Sequence, residues 1–206
     1  MLDIADVDPR AFCFRDGFDA PAIDPARWQL LNGASPVTLG IAASGLVIAA
    51  PPGIVDENGI VAIDSLDLTD GTLRVTVHTF TAPDALETMF LVFTGADAGF
   101  GFITSEGDLV AREFVNGEVT DSRIAFDPQF AFWRARHRSL DSTISLEIST
   151  DAVSWYTLRT LGGQALPEAV RPRLQAGVYS PFNPAPQQAV FDAIEQTGDC
   201  ITASAN

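Results

Sequence analysis

The stretch that decides the fold is FWRAR at 132–136, followed by ISLEISTD at 144–151 and then by Trp155. Apolar and polar residues alternate in the first two segments, and this period of two predicts β-strands with one buried face and one exposed face. Short turns between the segments predict neighbouring strands, the second leading through an Asp-containing turn into a third strand. The pattern therefore predicts two β-sheets packed face to face.

Similar short segments recur along the rest of the chain. About a dozen strands are predicted between residues 12 and 194, separated by turn residues, at the spacing typical of a sandwich or barrel. Asn116-Gly117 predicts a tight hairpin because both residues tolerate a positive φ. We expect an N-terminal extension at 1–11, one all-β domain at 12–195 with two antiparallel sheets, and a C-terminal tail at 196–206.

The composition excludes several classes of partner. The 206 residues include 47% hydrophobic residues, enough for a sizeable core, and the formal net charge is −15. A chain this acidic repels phosphate backbones, and no nucleic-acid partner is expected. No apolar run is long enough to insert into a membrane. The N-terminal residues lack the basic start and apolar stretch of an export signal. For an external location we expect either that the sequence is the mature form or that the protein leaves the cell by another route, such as packaging into a phage particle.

Several motifs, taken in order, resemble concanavalin A-like lectin/glucanase domains. They are FRDGF at 14–18, IDPARW at 23–28, WRAR at 133–136, STD at 149–151 with Trp155, AGVY at 176–179 and AVFD at 189–192. Ala152 stands where these domains usually carry Gly. The resemblance implies a laminin-G-like jelly-roll sandwich with adjacent first and last strands. It also implies frequent carbohydrate binding on the concave sheet, as in lectins, appendages of glycosidases, and phage tail and decoration proteins.

Catalytic carboxylates are harder to place. The glucanase branch of this superfamily carries Glu-x-Asp-x-x-Glu on one strand, and retaining hydrolysis needs two carboxyl groups about 5 Å apart. The nearest candidates are Asp64 with Asp67, whose side chains point to opposite faces of a strand, and Glu113 with Glu118, which straddle a hairpin tip. We therefore expect the non-catalytic branch of the superfamily, and no enzyme.

Candidate ligand-binding residues come from the strands that decide the fold. Arg134 and Arg136 share one face, and Glu147 is expected opposite them on the next strand. These groups either form cross-strand ion pairs that stabilise the sheet or donate to and accept from sugar hydroxyls. The strand end and loop beyond residue 178 supply three further candidates for a binding rim: Tyr179, Phe182 and Asn183.

Two pairs of residues near the chain ends are candidates for a metal site and for a disulfide bond. In the resembled fold the terminal strands often share a calcium ion, and Asp16 and Asp192 match the positions that would meet there. Carboxylate oxygens suit a structural calcium, although two acids are too few for a full ligand shell. The only cysteines are Cys13 and Cys200, and they could close a disulfide if the terminal strands are neighbours.

The sequence thus predicts a surface-binding β-sandwich for carbohydrate binding and adhesion. A glycan or cell-surface polysaccharide is the expected partner, and a virion protein of a phage tail or capsid is a plausible setting. One alternative is a purely structural subunit that associates with other virion proteins or with copies of itself. A second alternative is a glycoside hydrolase with an unrecognised carboxylate pair.

Overall fold

The computed structural model describes residues 12–42, 45–78, 86–162, 169–179 and 186–198. These residues form fifteen strands and no helix, so they include no helix long and apolar enough to cross a membrane. In chain order the strands are β1 Phe12–Asp16, β2 Trp28–Leu30, β3 Thr38–Ala42, β4 Gly45–Ala50, β5 Asp56–Ala62, β6 Thr72–Val77, β7 Glu87–Phe93, β8 Ala98–Ser105, β9 Asp108–Val115, β10 Glu118–Ala125, β11 Phe132–Arg138, β12 Thr143–Ser149, β13 Tyr156–Gly162, β14 Arg171–Val178 and β15 Gln187–Thr197.

The strands make two antiparallel sheets, as predicted. The eight-stranded sheet has the order β13-β12-β11-β6-β15-β4-β3, with β1 paired to β15 beside this path. The seven-stranded sheet has the order β10-β9-β8-β7-β14-β5-β2. The chain crosses repeatedly from one sheet to the other, and this arrangement is the jelly-roll β-sandwich that the resemblance implied.

The last strand organises the eight-stranded sheet. One side of β15 pairs with β6, and the other side pairs first with β4 and then with β1. A bulge between Phe191 and Ala193 bends the strand between these two partners. Phe12 pairs with Thr197, so the first and last strands are adjacent, as the resemblance implied. The strand ends two residues beyond the predicted domain boundary at 195.

One hydrophobic core fills the space between the sheets. Alternate residues of the strands point inward, as in β11, where Trp133, Ala135 and His137 are buried. The Trp133 ring lies 5.7 Å from the ring of Phe102, which β8 contributes from the opposite sheet. Burial of this apolar surface at about 25 cal/mol per Å² is the main force that holds the sheets together.

Two local sequence predictions are confirmed. Asn116 and Gly117 join β9 to β10 with φ values of 52° and 86°, the left-handed conformation that the tight turn requires. The segment at 89–93, apolar on both faces, lies in β7 between β8 and β14 at the centre of its sheet. Cys13 is disulfide-bonded, and Cys200, the other cysteine of the sequence, lies outside the described residues.

The turn between β12 and β13 is built around Asp151. Its Oδ1 accepts hydrogen bonds from the backbone N–H groups of Val153 (2.8 Å) and Ser154 (2.7 Å) and from the hydroxyl of Ser149 (2.9 Å). These donors lower the pKa of Asp151 to about 2, the backbone N–H of Ser154 contributing most. Ala152 adopts a φ of 59°, which explains why glycine is usual there.

This pKa gives a pH-dependent prediction. Because the pKa of Asp151 is lower in the folded protein than its ordinary 3.8, its stabilising contribution is complete above about pH 4 and is lost as the pH falls through about 2. Asp151→Asn should therefore melt below the parent protein at pH 7, and the difference should shrink towards pH 2. Thermal melting across pH 2–7 measures this, with Asp64→Asn at an exposed position as control. A melting difference that does not change with pH would contradict the assignment.

Candidate functional site

The open face of the seven-stranded sheet carries a groove of about 570 Å³, called here the open-face groove. It is lined from the strands β5, β7, β8, β9, β10 and β14 and from the turns beside them. The lining residues are Glu57, Glu87, Met89, Leu91, Ala96, Asp97, Ile103, Arg112, Phe114, Gly117, Val119, Arg173, Gln175 and Tyr179. Such a concave surface, part apolar and part polar, is a general mark of a ligand-binding site.

The floor of the open-face groove is a small apolar cluster, separate from the main core. Met89 and Leu91 of β7 and Ile103 of β8 are buried there, although they point away from the opposite sheet. Phe93 and Phe114 pack against them with their rings 5.3 Å apart. In the sequence this cluster is indicated by the uninterrupted apolar run at 89–93 in β7, which places apolar side chains on both faces of the strand.

One wall of the groove is a polar cluster around Glu57. Its Oε2 accepts hydrogen bonds from the hydroxyl of Tyr179 and from Nε2 of Gln175, and a guanidinium nitrogen of Arg173 lies 3.6 Å from Oε1. Partial burial and the adjacent Glu57 carboxylate raise the pKa of Tyr179, so its hydroxyl stays protonated and donates. Burial lowers the pKa of Arg173, while the charge of Glu57 opposes that change.

Gln175 adds an unsatisfied acceptor to this wall. The residue is only 2% exposed, and its Oε1 has no hydrogen-bond partner among the described residues. Its Nε2 must face the Glu57 carboxylate, because the reverse orientation would place two acceptors together. A buried carbonyl oxygen without a donor costs about 1–3 kcal/mol, which a ligand hydroxyl could recover.

The opposite wall carries a second pair of charged groups. Arg112 donates to both carboxylate oxygens of Asp121 at 2.9 Å, and this bidentate contact raises the pKa of Arg112 and lowers that of Asp121. Between the walls, Oε1 of Glu87 accepts a hydrogen bond from the hydroxyl of Ser105 at 2.5 Å. The groove therefore offers carboxylates, two guanidinium groups, an amide oxygen and a phenol above an apolar floor.

The structure places Arg134 and Glu147 on the outer face of the other sheet. They are cross-strand neighbours, and Nε of Arg134 donates to Oε2 of Glu147 at 2.6 Å. The guanidinium of Arg134 lies 3.8 Å from the centre of the Trp155 ring, and Thr157 contacts the second oxygen of Glu147. These contacts are those of the ion-pair alternative, in which the two residues stabilise the eight-stranded sheet.

The predicted binding residues therefore do not form one site. Arg134, Arg136 and Glu147 lie on the eight-stranded sheet, whereas Tyr179 follows β14 and faces the open-face groove of the seven-stranded sheet. The alternation of single strands identifies faces but not the sheet to which each strand belongs. Phe182 and Asn183 lie outside the described residues.

Asp16 and Asp192 have different partners. Asp16 accepts hydrogen bonds from the indole Nε1 of Trp28 at 2.7 Å and from the backbone N–H of Phe18 at 2.9 Å. Asp192 lies 3.5 Å from Nε2 of His78. The described part of the chain contains no group of three or more acidic, histidine or cysteine side chains placed to hold a metal ion. The shared calcium at Asp16 and Asp192 therefore stays a prediction.

Glu57, Glu87, Arg173 and Gln175 were not identified from the sequence. The alternation in β14, where Arg173 and Gln175 oppose Leu174, does mark a polar face. No local pattern, however, shows that β14 lies between β5 and β7 and so brings these side chains to one groove. Their convergence depends on strand pairing across long sequence distances.

No protein-family model and no curated protein sequence matches the chain. Solved structures do match its fold. An immunostimulatory antigen and pseudo β-1,3-glucanase of Mycobacterium tuberculosis is 14% identical, with a TM-score of 0.70 over 92% of this chain and 99% of that one. The β-glucanase of Bacillus licheniformis is 11% identical, with a TM-score of 0.67 over 90% and 97%. A non-specific endo-β-1,3(4)-glucanase from family GH16 is 8% identical, with a TM-score of 0.69 over 91% and 90%.

These comparisons confirm the concanavalin A-like jelly-roll fold, in the form found in GH16 β-glucanase-like proteins. They contradict the prediction that the chain is not an enzyme, because most of the neighbours are named as glycoside hydrolases or β-glucanases. One of them is nevertheless named a pseudo-glucanase. Such neighbours are compatible with carbohydrate binding, and their names give no support to the phage or virion setting.

Proposed function

We propose that the chain binds a polysaccharide in the open-face groove and acts on it as a glycoside hydrolase. The observation that supports this most directly is the combination of an exposed aromatic ring, a buried unsatisfied amide oxygen and carboxylates in one groove. Sugars bind through stacking of their apolar ring faces on aromatic side chains and through hydrogen bonds from their hydroxyl groups. Tyr179, 49% exposed, supplies the ring, and Gln175 and Glu57 supply acceptors.

The names of the structural neighbours support the choice of ligand. They include a β-glucanase, an endo-β-1,3(4)-glucanase and endo-acting O-glycanases from the human gut microbiota that initiate mucin breakdown. Soluble β-glucans and mucin are therefore the first polysaccharides to test. A net charge of −15 disfavours strongly anionic polymers, so neutral glucans are expected to bind more tightly than mucin.

Binding can be tested by affinity gel electrophoresis with laminarin, mixed-linkage β-glucan and mucin in the gel. We expect retardation by at least one of them, and about tenfold weaker affinity, or ~1.4 kcal/mol, for Tyr179→Ala. Tyr156→Ala is the matched control, because Tyr156 is the only other tyrosine, is similarly exposed at 58%, and lies on the other sheet. Equal losses in both variants, or no retardation of the parent protein, would refute binding in the groove.

We further propose that the protein works outside the cell. The disulfide bond at Cys13 supports this location, because such bonds form and persist mainly in oxidising compartments. The virion setting and the alternative of a self-associating structural subunit remain predictions from the sequence, without support among the structural neighbours.

A further inference from the structure

A second pocket, called here the arginine pocket, lies beside the open-face groove and has a volume of about 380 Å³. Arg173 of β14 and Ala96 of the turn between β7 and β8 line both the groove and this pocket, so the two spaces adjoin. A sugar chain bound in the groove can therefore extend into the arginine pocket.

The register of β14 brings two arginines to this pocket. Arg171 and Arg173 are two positions apart, so their side chains leave the same face of the strand, about 6.7 Å apart along it. Val61, Arg173 and Leu91 form one row across β5, β14 and β7, and Arg171 pairs with Phe93 in the row two positions away. Val61 and Phe93 also line the pocket, so both guanidinium groups stand beside apolar surface.

The arginine pocket is positive in a protein that is otherwise strongly acidic. The chain has 27 acidic residues and 12 basic ones, yet the described residues that line the pocket include two arginines and no aspartate or glutamate. Glu57, which lines the groove, lies 3.6 Å from one terminal nitrogen of Arg173. A local excess of positive charge of this kind attracts anions.

Both guanidinium groups keep N–H groups that are available to a ligand. Nε of Arg171 donates to the backbone oxygen of Ala62 at 2.8 Å, and Arg171 makes no ion pair within the described ranges. Nε of Arg173 is buried and has no acceptor in the part of the chain that the structure describes. A buried cationic group with an unsatisfied donor is costly, and a bound anion would recover that cost.

The lining of the pocket suits an acidic sugar. A guanidinium group presents a planar fork of N–H donors that matches a carboxylate, and Leu31, Val61 and Phe93 offer apolar surface to the sugar ring. The net charge of −15 repels a densely anionic polymer. Because salt screens such long-range repulsion beyond about 8 Å, one isolated acidic sugar can still bind at the two arginines.

Resting on the proposed function, we propose that the arginine pocket is a subsite for one uronic acid, whose carboxylate bridges Arg171 and Arg173 while neutral sugars occupy the open-face groove. The substrate class is then a mainly neutral polysaccharide that carries sparse uronic acid residues. This class agrees with the weaker binding expected for mucin, because the density of charge, and not its presence, sets the repulsion.

The test compares laminarin and mixed-linkage β-glucan with the same polymers sparsely oxidised at C6, a change that converts some glucose residues into glucuronic acid. Isothermal titration calorimetry measures the affinities. At low salt the parent protein should bind an oxidised polymer about tenfold more tightly than its unoxidised form, or ~1.4 kcal/mol. The preference should shrink as the salt concentration rises to about 0.5 M, because salt weakens the ion pairs.

Substitution of the arginines should remove the preference. Arg171→Gln and Arg173→Gln should each bind the oxidised and unoxidised polymers with affinities within about threefold of each other, because one partner of the ion pair is lost. Arg138→Gln is the matched control: it removes the same charge from a side chain that is 52% exposed and lies on the other sheet. This control should keep the tenfold preference of the parent protein.

A variant at an exposed position covers the case in which Arg171→Gln or Arg173→Gln does not fold. Ser65 is exposed and lines the arginine pocket. The carboxylate that Ser65→Glu introduces would compete for the two arginines, so the preference for the oxidised polymer should disappear. Ser65→Gln adds a side chain of the same shape without the charge and should keep most of the preference. Equal losses in both variants would overturn the proposal.

The possible failures are distinguishable. Equal affinity for oxidised and unoxidised glucans, or binding of mucin alone, overturns the subsite while the proposed function stands. Displacement of the oxidised polymer by inorganic phosphate at lower concentration than by free glucuronate also overturns it, because the pocket would then select an inorganic anion. If the parent protein neither binds these polysaccharides and mucin nor releases reducing ends from them, the proposed function itself fails.

Discussion

Gly45→Ala should destabilise the protein by at least about 3 kcal/mol, because the change combines backbone strain with a backbone collision. Gly45 has a φ of 114°, a conformation that L-residues with side chains rarely adopt. A Cβ there would lie 2.3 Å from the backbone oxygen of Phe191 and 2.9 Å from Cα of Asp192. Both atoms belong to β15, so relief requires β4 to separate from the strand that organises the sheet.

The measurement is thermal melting followed by circular dichroism. For a chain of this length about 3 kcal/mol corresponds to a fall in Tm of roughly 10 °C. Gly40→Ala is the matched control, because Gly40 lies on the neighbouring strand β3 and a Cβ added there would meet no described atom within 4 Å beyond its chain neighbours. If the two variants melt within about 2 °C of each other, the close approach at Gly45 is not a constraint on the fold.

Trp133→Ala should cost about 3–5 kcal/mol of unfolding free energy, the range for removing a large aromatic side chain from a core. Trp133 is 0% exposed, packs on Phe102 across the interface between the sheets, and donates from Nε1 to the backbone oxygen of Phe130 at 2.8 Å. The alanine variant would leave a cavity between the sheets and would remove this donor from the carbonyl of Phe130.

Chemical unfolding monitored by circular dichroism measures this loss. Trp133→Phe keeps most of the ring and loses the hydrogen bond, so it should cost only about 1–2 kcal/mol. Trp155→Ala is a second comparison, because Trp155 is half-buried and packs on Arg134 at the surface of the sheet. Equal destabilisation by Trp133→Ala and Trp155→Ala would contradict the central position of Trp133.

Local alternation in the sequence was sufficient to predict most of the architecture. In β11 and β12 it distinguishes the buried Trp133 and Leu146 from the outward-facing Arg134 and Glu147. The apolar run of β7 correctly indicated a central strand. The strand β3 was not predicted, although its apolar residues Leu39 and Ile41 alternate with small ones and pack against the core.

The site was much less predictable than the fold. Glu57 and Glu87 lie thirty positions apart in the chain, and their relation depends on β14, more than eighty positions further on. Arg134 and Glu147 were predictable as a pair because a single hairpin sets their register. Contacts within one hairpin follow from the sequence, whereas a row across three non-consecutive strands does not.

The pairing of β1 with β15 also has a consequence for biosynthesis. A nascent chain cannot complete the eight-stranded sheet until Thr197 has left the ribosome, because that residue is the partner of Phe12. The strand β1 must therefore wait for this partner until β15 has been synthesised. Since unpaired strand edges favour aggregation, the chain is most exposed to aggregation before β15 has paired with its neighbours.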